Sequence, residues 1–178
     1  MSLKLNTASG GSVTIEPTNT ASNYTLTVPA TTGTVLTNKT AGTVLQVVQA
    51  TYATETSSSS STYADTGLTA SITPTSSTSK ILVLVSQNGV DKRTGNTYIG
   101  IKLLRSGSDI AAMSVVAAAT GDTSINNIGT VSINYLDSPA TTSSVTYKTQ
   151  FSSLANIAVS YVQKDNAVST ITLMEIAA

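Results

Sequence analysis

The sequence predicts an all-β fold: an antiparallel sandwich or jelly roll carrying a short N-terminal β element. Three observations carry that expectation. About a third of the chain is Ser or Thr, interleaved with Val, Ile, Ala and Tyr, the residues that suit a pleated, half-buried surface. Short alternating runs recur at regular spacing, separated by Gly, Pro and Asp turns. No segment joins a helical hydrophobic period to helix caps.

The chain divides by pattern into residues 1–41 and 42–178. In the first part Gly10-Gly11 opens an alternating run, Ser12-Val13-Thr14-Ile15-Glu16, and Pro17-Thr18-Asn19 turns it. Tyr24–Val28 alternates again and stops at Pro29. After Gly33, Thr34–Thr37 forms a third short strand. Three such strands bury too little apolar area to offset their ordering entropy, so the segment needs a host.

The second part opens with a long strand, Val44–Tyr52. Ser57–Ser61 is low-complexity and reads as an exposed loop. Leu68–Thr73 is a strand ended by Pro74. Lys80–Ser86 is a near-continuous apolar run, the mark of a strand covered on both faces. Leu84 lies in its middle, and Leu84→Asp is expected to prevent folding. Asp91–Asn96 is a charged turn. Thr97–Arg105 alternates, with Tyr98, Gly100, Lys102 and Leu104 on one face and Ile99, Ile101 and Leu103 on the other. Ser106-Gly107 turns the chain into 109–119, whose Ala-rich stretch has helix propensity but no cap and lies between hairpins, so it reads as strand. Gly129–Leu136, Ser143–Phe151, Asn156–Val162 and Ser169–Ile176 complete the set.

Composition narrows function. There is no His, Cys or Trp, only 10% of residues are charged, and formal net charge is zero. Such a surface has little electrostatic defence against self-association, which points to a permanent oligomer. Zero cysteine excludes disulfides and thiolate metal sites. Met1–Asn6 lacks the apolar core of a signal peptide, and the longest apolar stretches are too short to cross a bilayer, so cytoplasmic synthesis and no membrane insertion are expected.

Catalytic chemistry finds little to use. A serine nucleophile needs a base, and His is absent. A Ser–Lys pair in a helical context is missing, and Lys80, after Thr78-Ser79, reads as a solvated strand-edge charge. The nine acidic residues fall mostly in turns, where Asp bonds its own backbone, which disfavours a carboxylate-pair glycosidase. Asp65, Asp122 and Asp165 lack calcium-loop spacing. Phosphate-loop glycines and a basic field for nucleic acid are absent too. The expectation is a non-enzymatic protein with no cofactor and no metal.

Surface recognition remains. Tyr52, Tyr98, Tyr135, Tyr147 and Tyr161 lie in predicted strands and Tyr63 outside them. They read either as half-buried structural residues, the stronger reading, or as anchors for a sugar or protein partner. The candidate receptor-facing loops are Asp91–Asn96, with Asp91, Lys92, Arg93 and Asn96, and 120–127, with Asp122 and Asn126. For both loops a solvated turn is the stronger reading.

Two segments resemble a known family. The N-terminal series, Ser12–Pro17, Asn23–Ala30 and Gly33–Leu36, resembles a short element of bacteriophage tail-fibre and related virion proteins. Val44–Gln49, Asp65–Pro74, Ser79–Val83, Leu136-Asp137-Ser138-Pro139 with Tyr147, and Ser169–Ile176 resemble the C-terminal domains of such proteins. The resemblance implies a homotrimer with a jelly roll similar to tumour-necrosis-factor and C1q heads, packed through an apolar sheet face. It implies a virion location after synthesis in the host cytoplasm. It implies that Val13, Ile15, Tyr24, Leu26, Val28, Val35 and Leu36 interleave or dock onto other virion proteins. The implied role is a short fibre or knob that attaches to a host-surface glycan or protein. The missing repetitive shaft keeps a capsid decoration or head-fibre protein as the alternative. A free carbohydrate-binding module is the reading outside the family, and the scarcity of aromatics counts against it.

Overall fold

In the computed structural model, residues 3–6, 8–15, 40–117, 129–154 and 158–178 are described. The chain forms two compact units, 1–35 and 36–178. In the first, β1 (Leu3–Asn6) pairs antiparallel with β2 (Ser12–Ile15), in the register Leu3 opposite Ile15. Gly10, at φ 85°, supplies the left-handed residue that this tight connection requires. The strand β1 was not visible in the sequence, where Met1–Asn6 reads simply as polar. Tyr24, Leu26, Val28, Val35 and Leu36 lie outside the described residues, as do the two further strands expected there.

The second unit contains β3 (Val44–Tyr52), β4 (Thr56–Ser58), β5 (Ala64–Ile72), β6 (Lys80–Lys92), β7 (Ile99–Arg105), β8 (Ser108–Ala117), β9 (Gly129–Asp137), β10 (Val145–Ser153), β11 (Ser160–Val162) and β12 (Ser169–Ile176). One sheet runs β5-β10-β7-β8. The other runs β3-β12-β6, with β9 also on β6 and the short pair β11-β4 continuing it. The registers place β11 and β12 end to end beside β6, and β3 and β4 end to end beside them. Numbering only the eight long strands, the sheets read first-eighth-third-sixth and second-seventh-fourth-fifth. That is the strand order of a jelly roll.

The Ala-rich segment is strand β8, as patterning rather than propensity dictates. Part of the serine run departs from expectation: Thr56–Ser58 pairs with β11 instead of looping freely. Tyr98 precedes β7 rather than lying within it.

β6 also corrects the sequence reading. Ile81, Val83 and Val85 are fully buried, whereas Leu82 and Leu84 on the opposite face are only half-buried. The sandwich covers one face of this strand and leaves the other outward. Leu84 is therefore not a core position.

Inside, two apolar clusters are stacked along the strands. The larger gathers Leu68, Val83, Leu103, Tyr147, Ile171 and Leu173. The smaller gathers Val90, Ile99, Ile101, Ala117, Phe151 and Val162. Between them a polar belt crosses both sheets at Thr66, Gln87, Thr149, Gln163 and Ser169, all buried. Thr66 and Thr149 share a hydroxyl bond of 2.6 Å. Thr149 donates to Gln87 Oε1 at 2.9 Å, and Gln87 Nε2 donates to Ser169 Oγ at 3.0 Å. Ser169 Oγ also accepts from the Asn88 amide at 2.9 Å. Such a network is tolerable because its members satisfy one another.

Candidate functional site

The charged residues are the place to look for chemistry in a chain that has so few. At one end of the larger cluster, Gln46, Glu175, Ile81 and Asp137 form a single row across four strands. The two carboxylates thus flank Ile81 on neighbouring strands. Asp137 is nearly fully buried and accepts two bonds from Arg105 Nη1, at 2.8 and 2.9 Å. It accepts a third from the Tyr147 hydroxyl at 2.6 Å. Asp137 sits on β9, whereas Arg105 and Tyr147 sit on the facing sheet, so the group clasps the sandwich shut. Burial, together with the bond to Asp137, pushes the Tyr147 phenol well above its ordinary range. The Asp137…Tyr147 pair quoted above for its family likeness is thus one contact of this clasp.

Glu175 is fully buried, and it forms no ion pair among the described residues. Its carboxylate accepts from Gln46 Nε2 at 2.5 Å, from the Thr75 amide at 2.7 Å and from the Thr75 hydroxyl at 2.8 Å. Burial raises the carboxyl, but the bonds from Gln46 and Thr75 outweigh it and hold the group below the usual range. The bonds to these two carboxylates close this end of the sandwich.

A second constellation gathers at the far end of β6. A register shift between Gln87 and Val90 bends the strand at Gly89, φ 61°. A Cβ at Gly89 would overlap the Lys164 amide nitrogen and lie 2.7 Å from the Gln163 carbonyl carbon. The glycine thereby lets the turn Lys164–Asn166 pack against β6, and Gln163, Asp165 and Asn166 all take left-handed backbone there. Beyond the bend, the Tyr161 ring carries Arg93 at 5.3 Å and Lys164 at 4.8 Å. Arg93 Nε donates to Asp91 Oδ2 at 2.8 Å, and Lys164 pairs with Glu55 at 2.7 Å. The Lys164 bond lowers the Glu55 carboxyl and raises the Lys164 ammonium.

This corner holds the first receptor-facing candidate loop, with a correction. Asp91 and Lys92 are fully buried, because β6 runs through them. Burial lowers the Lys92 ammonium, which donates to the Thr94 carbonyl. The surface of this loop therefore comes from Arg93 and Asn96, and the structure adds Tyr161 and Lys164 to them. No sequence signal joined those two to the loop, since they come from a distant strand and turn. Asp122 and Asn126 lie outside the described residues, as do the side chains of Val13 and Ile15.

The outer faces of the two sheets differ. The β5-β10-β7-β8 face bears the pairs Asp65–Lys148 (2.8 Å) and Lys102–Asp109 (2.9 Å), with Lys102 over the Tyr63 ring at 4.3 Å. The other outer face carries a hydroxyl and amide row, with Gln49 bonded to Thr172 at 3.0 Å, beside apolar residues. Among the described residues, no group of three or more acidic side chains suits a metal ion.

No protein-family model and no curated protein matches the sequence. Solved structures give distant likenesses. The infectious bursal disease virus VP2 subviral particle is 12% identical over 93% of this chain and 42% of that chain, with a TM-score of 0.49. The structure of infectious bursal disease virus strain Gx is 15% identical over 74% and 32%, with a TM-score of 0.45. Strain Gt is 14% identical over 94% and 47%, with a TM-score of 0.38. The chain spans under half the length of each. At these scores the likenesses carry no weight in the assignment, which rests on the strand order described above. None of these three is a tumour-necrosis-factor or C1q head, the comparison implied by the sequence resemblance.

Proposed function

We propose that this chain is a non-enzymatic structural component of a virus particle. The observation that carries the reading is the eight-stranded jelly-roll order in a chain of very low charge. That architecture recurs in capsid and lectin-type domains, and a weakly charged surface calls for permanent neighbours. The buried carboxylates support it as well, since Asp137, held by Arg105, and Glu175 serve closure and not turnover.

Within that reading the finer assignment is a bacteriophage homotrimer acting as a short fibre or knob. Residues 1–41, including Val13, Ile15, Tyr24, Leu26, Val28, Val35 and Leu36, attach it to other virion proteins. Arg93 and Asn96, with Tyr161 and Lys164 beside them, face a host-surface glycan or protein. The second reading is a capsid decoration or head-fibre protein, favoured by the lack of a repetitive shaft between the N-terminal segment and the sandwich. Negative-stain imaging of particles labelled with antibody to this chain separates the two. Label at the tail supports the knob and label on the head supports decoration; particles that take no label overturn both.

A further inference from the structure

We infer that the outer face of the β3-β12-β6-β9 sheet is the contact between copies of this chain. The inference rests on the proposed homo-oligomer and names its surface. The first observation is a cross-sheet row, Val47–Met174–Leu82–Leu136, one residue from each of the four strands. Val47 is 56% exposed and Leu136 58% exposed, so both ends of the row stand in solvent. Leu84, half-buried, extends the apolar strip along β6.

β6 supplies the second observation. It lies in the interior of its sheet, and from Ile81 to Val85 it is apolar on both faces, the pattern of a strand covered on both sides. The sandwich covers one side only, and an assembly covers the other.

Charge selects the occupant. Lys80, bonded to Ser138 at 2.8 Å, is the charged side chain of this face among the described residues, whereas the opposite sheet bears two ion pairs on its outside. A partner with a charged surface would have to strip its charges of water against a face that cannot pair them. A second copy brings a face whose one charge among the described residues, Lys80, is already bonded to Ser138, with the same apolar row and hydroxyls able to both donate and accept. The size also fits. Four strands ~4.8 Å apart, each with about seven residues at ~3.4 Å, give a footprint of roughly 450 Å² per copy. Side-chain relief takes two such faces past the ~1,000 Å² total needed for a specific contact.

The test uses the full chain and its mass in solution by light scattering. Val47→Lys with Leu136→Lys replaces two exposed residues, and Thr69→Lys on the opposite sheet is the control. The expected result is an oligomer for the native chain and the control, and a folded monomer by circular dichroism for the double variant. A double variant that keeps the native mass overturns the inference and leaves the proposed function standing. A monomeric native chain overturns both the inference and the homo-oligomer.

A second pair guards against misfolding of the lysine variant. The chain has no cysteine, so Val47→Cys with Leu136→Cys introduces the sole thiols. The two positions are three strand spacings apart, about 14 Å, beyond the ~7 Å that a disulfide within one copy can bridge. Oxidation is expected to link copies covalently, and Thr69→Cys with Asp109→Cys to link far fewer. Equal linking by both pairs overturns the inference. So does a face whose thiols resist alkylation in whole particles but react freely in the purified chain, because its occupant is then a different protein.

Discussion

Neighbouring residues of β6 meet opposite environments, and a matched pair of substitutions exposes it. Val83 is fully buried in the larger cluster. Val83→Asp strands a carboxylate there at a cost of several kcal/mol, and the variant is expected in the insoluble fraction. Leu84→Asp, one position on, is expected to stay folded in thermal melts while its oligomer weakens in light scattering. Glu175 gives the second prediction. Its folded carboxyl lies below the ordinary value of about 4.3. Its contribution is present above that unfolded value and is lost as pH falls through the lower, folded value. Glu175→Gln removes a charge-assisted set of bonds and is expected to cost about 1.5–3 kcal/mol at pH 7. Denaturant titrations should show that difference shrinking as the solution is acidified below pH 4. At this scale the sequence was partly legible. The alternation gave Ile99, Ile101 and Leu103 as one face of β7, and all three are buried, but Leu104 on the other face is buried as well. The burial of Asp91, Lys92 and Glu175 was illegible, because a charged residue in a strand shows its partners only once distant segments come together.

At the scale of elements, the bend in β6 is the feature most sensitive to a small change. Gly89 combines a left-handed φ with a close approach by the turn after β11. Gly89→Ala is expected to cost at least about 1–3 kcal/mol in backbone strain and displacement. Thermal unfolding would report the loss. Hydrogen exchange would place it at residues 86–92 and 160–169, with β5, β7 and β10 unaffected. Long strands with clean alternation or turn punctuation were legible: β3, β9 and β12 agree with their expected positions to within a residue at each end. Short strands were legible in part. β2 lies within Ser12–Glu16 and β11 within Asn156–Val162, both expected as strands. β4, three residues paired with β11, was not, because serine-rich sequence alone gives no sign of a pairing partner. The same reason hid β1, which forms only against β2.

At the scale of the molecule, residues 36–178 form a compact unit with its own interior. Removing residues 1–37 is expected to leave a soluble sandwich with an unchanged far-ultraviolet spectrum that no longer enters particles. An insoluble product would make the N-terminal arm part of the core. The all-β class was legible from the alternation and turns throughout, and the jelly roll was expected. Which strands share a sheet followed from pairings between residues as far apart as Gln46 and Glu175, for which one sequence holds no signal.

The polar belt has a further effect on how this molecule closes. Thr149 and Gln87 come from opposite sheets and meet at one position only. Sliding either sheet by two residues would set amides and hydroxyls against aliphatic side chains on both sides of the mismatch. A smoothly greasy interior would tolerate several alignments of nearly equal energy. Here the stripe works like the notch of a key: wrongly seated collapsed forms are penalised, and the chain is driven toward one alignment before its two ends are latched.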